Sequence, residues 1–163
     1  MNSASVVIVG GGVLGASAAY HLARRGWKDL LVLDRDTAPG GGSTSRSTGG
    51  FRAQYSTDIN VRLSLLSRAK LRDFFQEIGS DAGYHTAGYL WLAQNGEEME
   101  VLRSALRVQH AAGLSESREV GAAEIGEMNP HVSAEGFLGA AFCPTDGFIR
   151  SRQILQGAPG RGR

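Results

Sequence analysis

Apolar residues along the chain fall into runs of two periods, and the alternation predicts strands and helices in turn. Val6–Val9 is a short, β-branched stretch, the pattern of a strand buried in a parallel sheet. Over residues 13–25 the spacing becomes helical, and Gly26 supplies the residue type that ends helices in a left-handed turn. Leu30–Leu33 repeats the buried-strand pattern. Residues 35–52 carry no periodicity. A long helix is predicted from Thr57 or Asp58 to Ile78, stopped by Gly79. Ile59, Leu63, Leu66, Leu71, Phe74, Phe75 and Ile78 give it an apolar face, with Arg62, Arg68, Arg72 and Glu77 mostly opposite.

The second half is less regular. Residues 84–93 read as one or two strands, bent at Gly88. Asn95 and Gly96 mark a turn, and a helix follows over 97–112, with Leu102, Ala105 and Leu106 inward and Gly113 beyond its end. Ala122–Met128 is a short helix ended by Asn129 and Pro130. Residues 137–142 form another strand, 144–147 a turn, and a last helix starts near Ser151. Beyond it, Pro159 forbids helical continuation.

The chemistry lies where the first strand meets the first helix. Gly10, Gly12 and Gly15 stand at G-x-G-x-x-G spacing between them. In a dinucleotide site the first glycine permits the tight turn, the second lets a pyrophosphate reach the backbone, and the third brings the helix close to the sheet. The helix start offers free N–H groups and partial positive charge to phosphates. Asp34 ends the second strand, about 20 residues past the glycines, where an acidic side chain accepts from a ribose 2′-hydroxyl and repels a 2′-phosphate. That disfavours NADP. The Gly-, Ser- and Thr-rich stretch over 40–52 is too polar for a core element and too long for a plain connection, so it reads as a binding loop. Its hydroxyls and N–H groups suit phosphate oxygens, and Arg46 and Arg52 add fixed positive charge.

Composition narrows the setting. At 163 residues the chain can hold a proper core, and a formal net charge of +1 makes no electrostatic case for nucleic acid or an anionic membrane. The single cysteine excludes an intrachain disulfide framework. No apolar run is long enough to span a bilayer and no secretion signal is visible, so a cytoplasmic setting is expected. A Rossmann-like sheet needs more than two parallel strands, so the chain reads as the front part of a larger α/β fold.

Three segments resemble the flavin-dependent amine and amino-acid oxidase family that includes D-amino acid oxidase, glycine oxidase and sarcosine oxidase, especially its β subunit-like sarcosine oxidases. They are Ile8-Val9-Gly10-Gly11-Gly12-Val13-Leu14-Gly15, then Val32-Leu33-Asp34-Arg35, and above all the run over 42–55, Gly-Ser-Thr-Ser-Arg-Ser-Thr-Gly-Gly-Phe-Arg-Ala-Gln-Tyr. The resemblance covers residues 5–156. It implies an incomplete Rossmann-like FAD-binding domain with the start of an inserted α+β substrate domain. On that reading 1–82 belong to the FAD domain, 83–143 to a partial substrate domain, and 144–163 to a return and a truncated tail.

The same resemblance implies FAD as cofactor, with Gly10, Gly12 and Gly15 at the pyrophosphate, Asp34 on the adenosine ribose and Arg35 beside the adenine end. Ser43, Thr44 and Arg46 would continue the phosphate and ribityl contacts, and Gly49 and Gly50 would run near the isoalloxazine ring. Arg52 would stand by the flavin or bind a substrate carboxylate. The implied reaction oxidises the C–N bond of an amino acid or N-methylated amino acid by hydride transfer to flavin. Relatives of this kind are longer, which implies a truncated copy that does not turn over substrate unaided. Two other functions stay open at this point: an NAD-binding dehydrogenase fragment, and a non-catalytic nucleotide-binding piece that needs a partner subunit.

The remaining candidates read as structural. His85 and His110 suit a strand edge and a helix surface, His21 the solvent side of the first helix, and His131 a turn. No pair has metal-ligand spacing, so no metal site is expected. Cys143 reads as a buried small hydrophobe, and Tyr89 and Trp91 as core packing.

Overall fold

The computed structural model describes residues 3–157. Its chain forms two compact units. The first takes the described residues before Phe51 together with Leu71–Tyr84 and those from Ile149 onward; the second takes Phe51–Lys70 and His85–Phe148. The tail reading around Pro159 lies outside the described residues.

In the first unit, β1 (Val6–Val9) and β2 (Leu30–Leu33) pair in parallel, with Val6 opposite Leu30 and Val9 opposite Leu33. Helix α1 (Val13–Arg24) crosses between them and ends at Gly26, whose φ of +92° is the expected left-handed turn. Side chains alternate across a strand, so the register puts Val7, Val9, Leu31 and Leu33 on one face. All four are exposed, Val9 at 86%. Ile8 lies on the other face, where α1 packs close to it. The stretch expected to be all loop contains one helical turn, α2 (Ser43–Arg46), which needs no apolar face at that length. Helix α6 (Ser151–Gly157) packs on α1 and α2 and seats the buried Leu155.

Helix α3 (Asp58–Ile78) begins and ends where the pattern placed it, with Gly79 at φ +78°. Its buried face differs from the expected one. Within the second unit Val61 and Arg68 are buried and Leu65 is partly so, whereas Ile59, Leu63 and Leu66 are exposed. Arg68, assigned to the polar side, is inside because Glu116 pairs with it at 2.7 Å. Two apolar stripes share this helix, and a half-buried partner on another segment selects between them.

The second unit holds the principal core. Strands β5 (Tyr89–Ala93), β6 (Arg118–Gly121) and β7 (Gly139–Cys143) form an antiparallel sheet in the order β5-β7-β6. Sequence pattern missed β6, whose Arg-Glu-Val-Gly has one apolar side chain, and it set β7 a few residues early. Helix α4 (Gly96–Ala111) packs on this sheet and buries Met99, Leu106 and Gln109; Leu102 and Ala105 are only half-buried. Helix α5 (Ala122–Met128) brings Ile125 against Val120 and Ala140. The short strands β3 (Gly50–Phe51), β4 (His85–Thr86) and β8 (Gly147–Phe148) make a further sheet, ordered β3-β8-β4, that two-residue patterns gave no means of foreseeing. Gly88, at φ +76°, separates β4 from β5 as the expected bend.

Candidate dinucleotide site

A crevice of about 600 Å³ opens in the first unit at the C-terminal ends of β1 and β2. Parallel α/β sheets bind ligands at this end, because the loops there converge beside helix N-termini. Its floor is the turn from β1 into α1. Gly10 takes φ +107°, a conformation that side chains disfavour, and its N–H donates to the Leu33 carbonyl at 2.7 Å. A Cβ on Gly15 would lie 1.8 Å from the Gly10 carbonyl oxygen, so α1 can approach the turn only with glycine there. A Cβ on Gly12 would come within 3.1 Å of the Thr44 hydroxyl.

Thr44 has a role that spacing did not reveal. Its Oγ1 accepts from the Val13 N–H at 3.0 Å, so α2 caps α1 across the crevice. This leaves the Thr44 proton and the other first-turn N–H groups of α1 for a ligand. Gly42 also lines the crevice, and nothing lies within 4 Å of its Cβ direction, so the backbone is open to close approach.

Asp34 lies at the end of β2 and lines the same crevice. Its Oδ1 accepts from the Asp36 N–H at 2.9 Å and its Oδ2 from the Gly11 N–H. These two N–H groups, Asp36 first, hold the carboxyl below the usual carboxylate range, and the charge of Arg35 adds to them against slight desolvation. The group is therefore an anion at neutral pH, with lone pairs left for hydroxyl donors.

Of the residues singled out by sequence, Gly10, Gly12, Gly15, Asp34, Arg35, Ser43 and Thr44 all line this crevice. Arg46, Gly49 and Gly50 do not line it. Arg46 is exposed at the end of α2. Gly49 is buried at φ +74°, and its Cβ would lie 2.2 Å from the Ile149 carbonyl oxygen; its own carbonyl accepts from the Ile149 N–H at 2.8 Å. Gly50 is exposed in β3. Gly40 and Ser47, which belong to the expected binding loop but were not singled out within it, also line the crevice, as does Ser151, which sequence reasoning passed over. Gly40 is the most informative of them. It is buried at φ +77° with Leu155 of α6 at its back, a contact over more than a hundred residues that no local pattern carries.

Arg52 belongs to the second unit. Its guanidinium carbon sits 4.8 Å from the Trp91 ring centre, 5.2 Å from Tyr55 and 6.0 Å from Tyr89. Its Nε is buried with no hydrogen-bond partner, and it makes no ion pair among the described residues. Trp91 is 36% exposed and Tyr89 half-buried, so both serve as a platform for a cation and not as the core packing expected of them. Cys143 is fully buried, and desolvation pushes its thiol up, away from reactivity. His21, His85, His110 and His131 are exposed; His110 Nε2 lies 2.6 Å from the Ser117 carbonyl. No group of metal-ligating side chains assembles among the described residues. No helix there is long and apolar enough to cross a membrane.

Parallel strands, a glycine turn into a helix and an ionised acid at the second strand end define an α/β dinucleotide-binding unit. The chain belongs to the family described as "DAO: FAD dependent oxidoreductase", which matches residues 5–158. It is 32% identical over 156 residues to glycine oxidase of Geobacillus kaustophilus (strain HTA426), covering 91% of this chain and 41% of the relative. It is 30% identical over 148 residues to mouse (Mus musculus) mitochondrial sarcosine dehydrogenase, covering 90% of this chain and 16% of the relative. Among solved structures, L-proline dehydrogenase from P. horikoshii superposes with a TM-score of 0.86 at 26% identity, over 96% of this chain and 41% of that one. The chain thus spans between 16% and 41% of the length of these proteins. Membership of an FAD-dependent family decides between the flavin and the NAD readings in favour of flavin.

Proposed function

We propose that this chain forms the adenosine-diphosphate-gripping front of an oxidoreductase that oxidises the C–N bond of a glycine- or sarcosine-like amino acid, with FAD as the hydride acceptor. The observation that carries the reading is the turn from Gly10 to Gly15, whose open backbone shares one crevice with the ionised Asp34. The donors present fit the cofactor: α1 N–H groups and the Thr44 hydroxyl for pyrophosphate, and the Asp34 carboxylate for ribose hydroxyls. Ser43 and Arg35, both lining the crevice, extend these contacts. When bound, the flavin supplies the electron chemistry, and the protein supplies binding and orientation.

The substrate class is supported by the names of two relatives, glycine oxidase and sarcosine dehydrogenase, and by the setting of Arg52. A guanidinium stacked on aromatic rings with no carboxylate of its own is suited to a substrate carboxylate. Reaction with an amine is proposed for the protein with the rest of the family fold present, since the matched relatives are more than twice as long.

The experiment is reconstitution. Purified chain mixed with FAD and passed through a desalting column is expected to retain flavin absorbance, and Asp34→Ala to retain far less. Equal retention by Asp34→Ala, or none by the parent at millimolar FAD, overturns the assignment of the crevice.

A further inference from the structure

Asp146 is wholly buried, although a carboxylate is costly to remove from water. Both its oxygens are used on the segment that follows Arg52. Oδ1 accepts from the Ala53 N–H at 2.8 Å, and Oδ2 from Gln54 Nε2 at 3.3 Å. Gln54 Nε2 also donates to the Tyr89 carbonyl at 3.0 Å. The main-chain carbonyl of Asp146 accepts from the N–H groups of Ala87 and Gly88, at 3.1 and 2.9 Å. One buried residue therefore ties the backbone that presents Arg52 to the start of β5, which presents Tyr89 and Trp91.

We propose that Asp146 is a positioning residue: through Ala53 and Gln54 it holds the Arg52 guanidinium on its aromatic platform, ready for an anionic ligand. This rests on the reading of Arg52 as the group that receives a substrate carboxylate. The contacts require an acceptor oxygen facing each donor. The two carboxyl oxygens of Asp146 meet both donors at once, whereas an amide in the same place turns an N–H₂ toward one of them. With Asn at 146, Gln54 must rotate its amide to offer Oε1, and the bond from Nε2 to Tyr89 is lost. Gln54 Oε1 has no hydrogen-bond partner in the native arrangement, so the rotation breaks nothing else.

The test uses the full chain carrying Trp27→Phe, which leaves Trp91 as the single tryptophan. Quenching of its fluorescence is measured with iodide, an anion drawn by the guanidinium, and with neutral acrylamide. A unit charge next to the ring is expected to raise the iodide-to-acrylamide ratio about twofold at low salt. Arg52→Gln should remove that gain, and this variant alone tests the reading of Arg52. Asp146→Asn should remove most of it with acrylamide quenching and far-UV circular dichroism unchanged. A parental ratio in Asp146→Asn beside a lowered one in Arg52→Gln overturns the positioning role and leaves the Arg52 reading standing. An unchanged ratio in Arg52→Gln overturns both. Iodide and acrylamide quenching that rise together signal general loosening and also overturn the positioning role. If Asp146→Asn does not fold, Gln54→Leu decides: a lowered ratio with intact dichroism supports the role, and a parental ratio refutes it.

Discussion

Gly15 has its role enforced by one atom. With 1.8 Å between its Cβ direction and the Gly10 carbonyl oxygen, a single methyl group forces α1 away from the turn. Gly15→Ala is expected to cost about 1–3 kcal/mol, as overpacking does, and to weaken flavin retention more than tenfold. Urea unfolding and FAD titration measure the two effects separately. Arg68 illustrates the reverse case, a polar group drawn inside by its partners. Burial pushes the Glu116 carboxyl up, but its own backbone N–H, the Thr145 hydroxyl and Arg68 together bring it below the ordinary range. Arg68→Met, which leaves Glu116 without its cation, should cost about 2 kcal/mol at neutral pH. A depressed folded-state pKa means that the unfolded chain binds more protons on the acid side. The stability that Glu116 contributes is therefore present above its unfolded pKa and lost as pH falls through the lower folded value. Glu116→Gln should flatten the fall in melting temperature between about pH 5 and pH 2.

Among the elements, α4 shows what local sequence specifies well. Asn95 takes extended backbone and accepts from the Glu98 N–H at 2.9 Å, while Glu98 Oε2 accepts from the Gln94 N–H at 2.7 Å. These two bonds, between residues three and four apart, close the helix start in the manner of a capping box. Asn95→Ala should cost about 1 kcal/mol in thermal or urea unfolding. Turns, caps and the glycine motif are written within a few residues of where they act, so β1, α1, β2 and the ends of α3 were legible in the sequence. What was not legible depends on distant partners. β6 has one apolar side chain and is a strand because β7 lies beside it. The buried stripe of α3 is chosen by Glu116, and Trp91 leaves the core because Arg52 stacks on it. The site divides in the same way. Gly10, Gly12, Gly15 and Asp34 announce themselves by spacing, whereas the capping role of Thr44 and the packing of Gly40 on Leu155 arise from the folded chain.

For the whole molecule, the uneven distribution of core matters most. The second unit buries Val61, Met99, Leu114, Val120 and Ile125, while Ala82 and Leu155 are the buried apolar side chains of the first among the described residues. The bare face of β1 and β2 presents Val7, Val9, Leu31 and Leu33 to solvent. Apolar surface of that kind promotes self-association. The chain alone should bind hydrophobic dyes and scatter light increasingly with concentration, and Val9→Thr with Leu31→Thr should reduce both.

The order in which segments enter the two units carries a consequence for biogenesis. The chain leaves the first unit at residue 50, returns at 71, leaves again at 84 and comes back at 149. A polypeptide that ends before residue 149 therefore holds the glycine turn but lacks α6, which backs Gly40 at the crevice. Contacts so far apart in sequence close slowly, because a long loop must be ordered before they form. The nucleotide crevice thus needs segments from both sides of the second unit, and polypeptides ending before residue 149 should show no flavin protection against proteolysis.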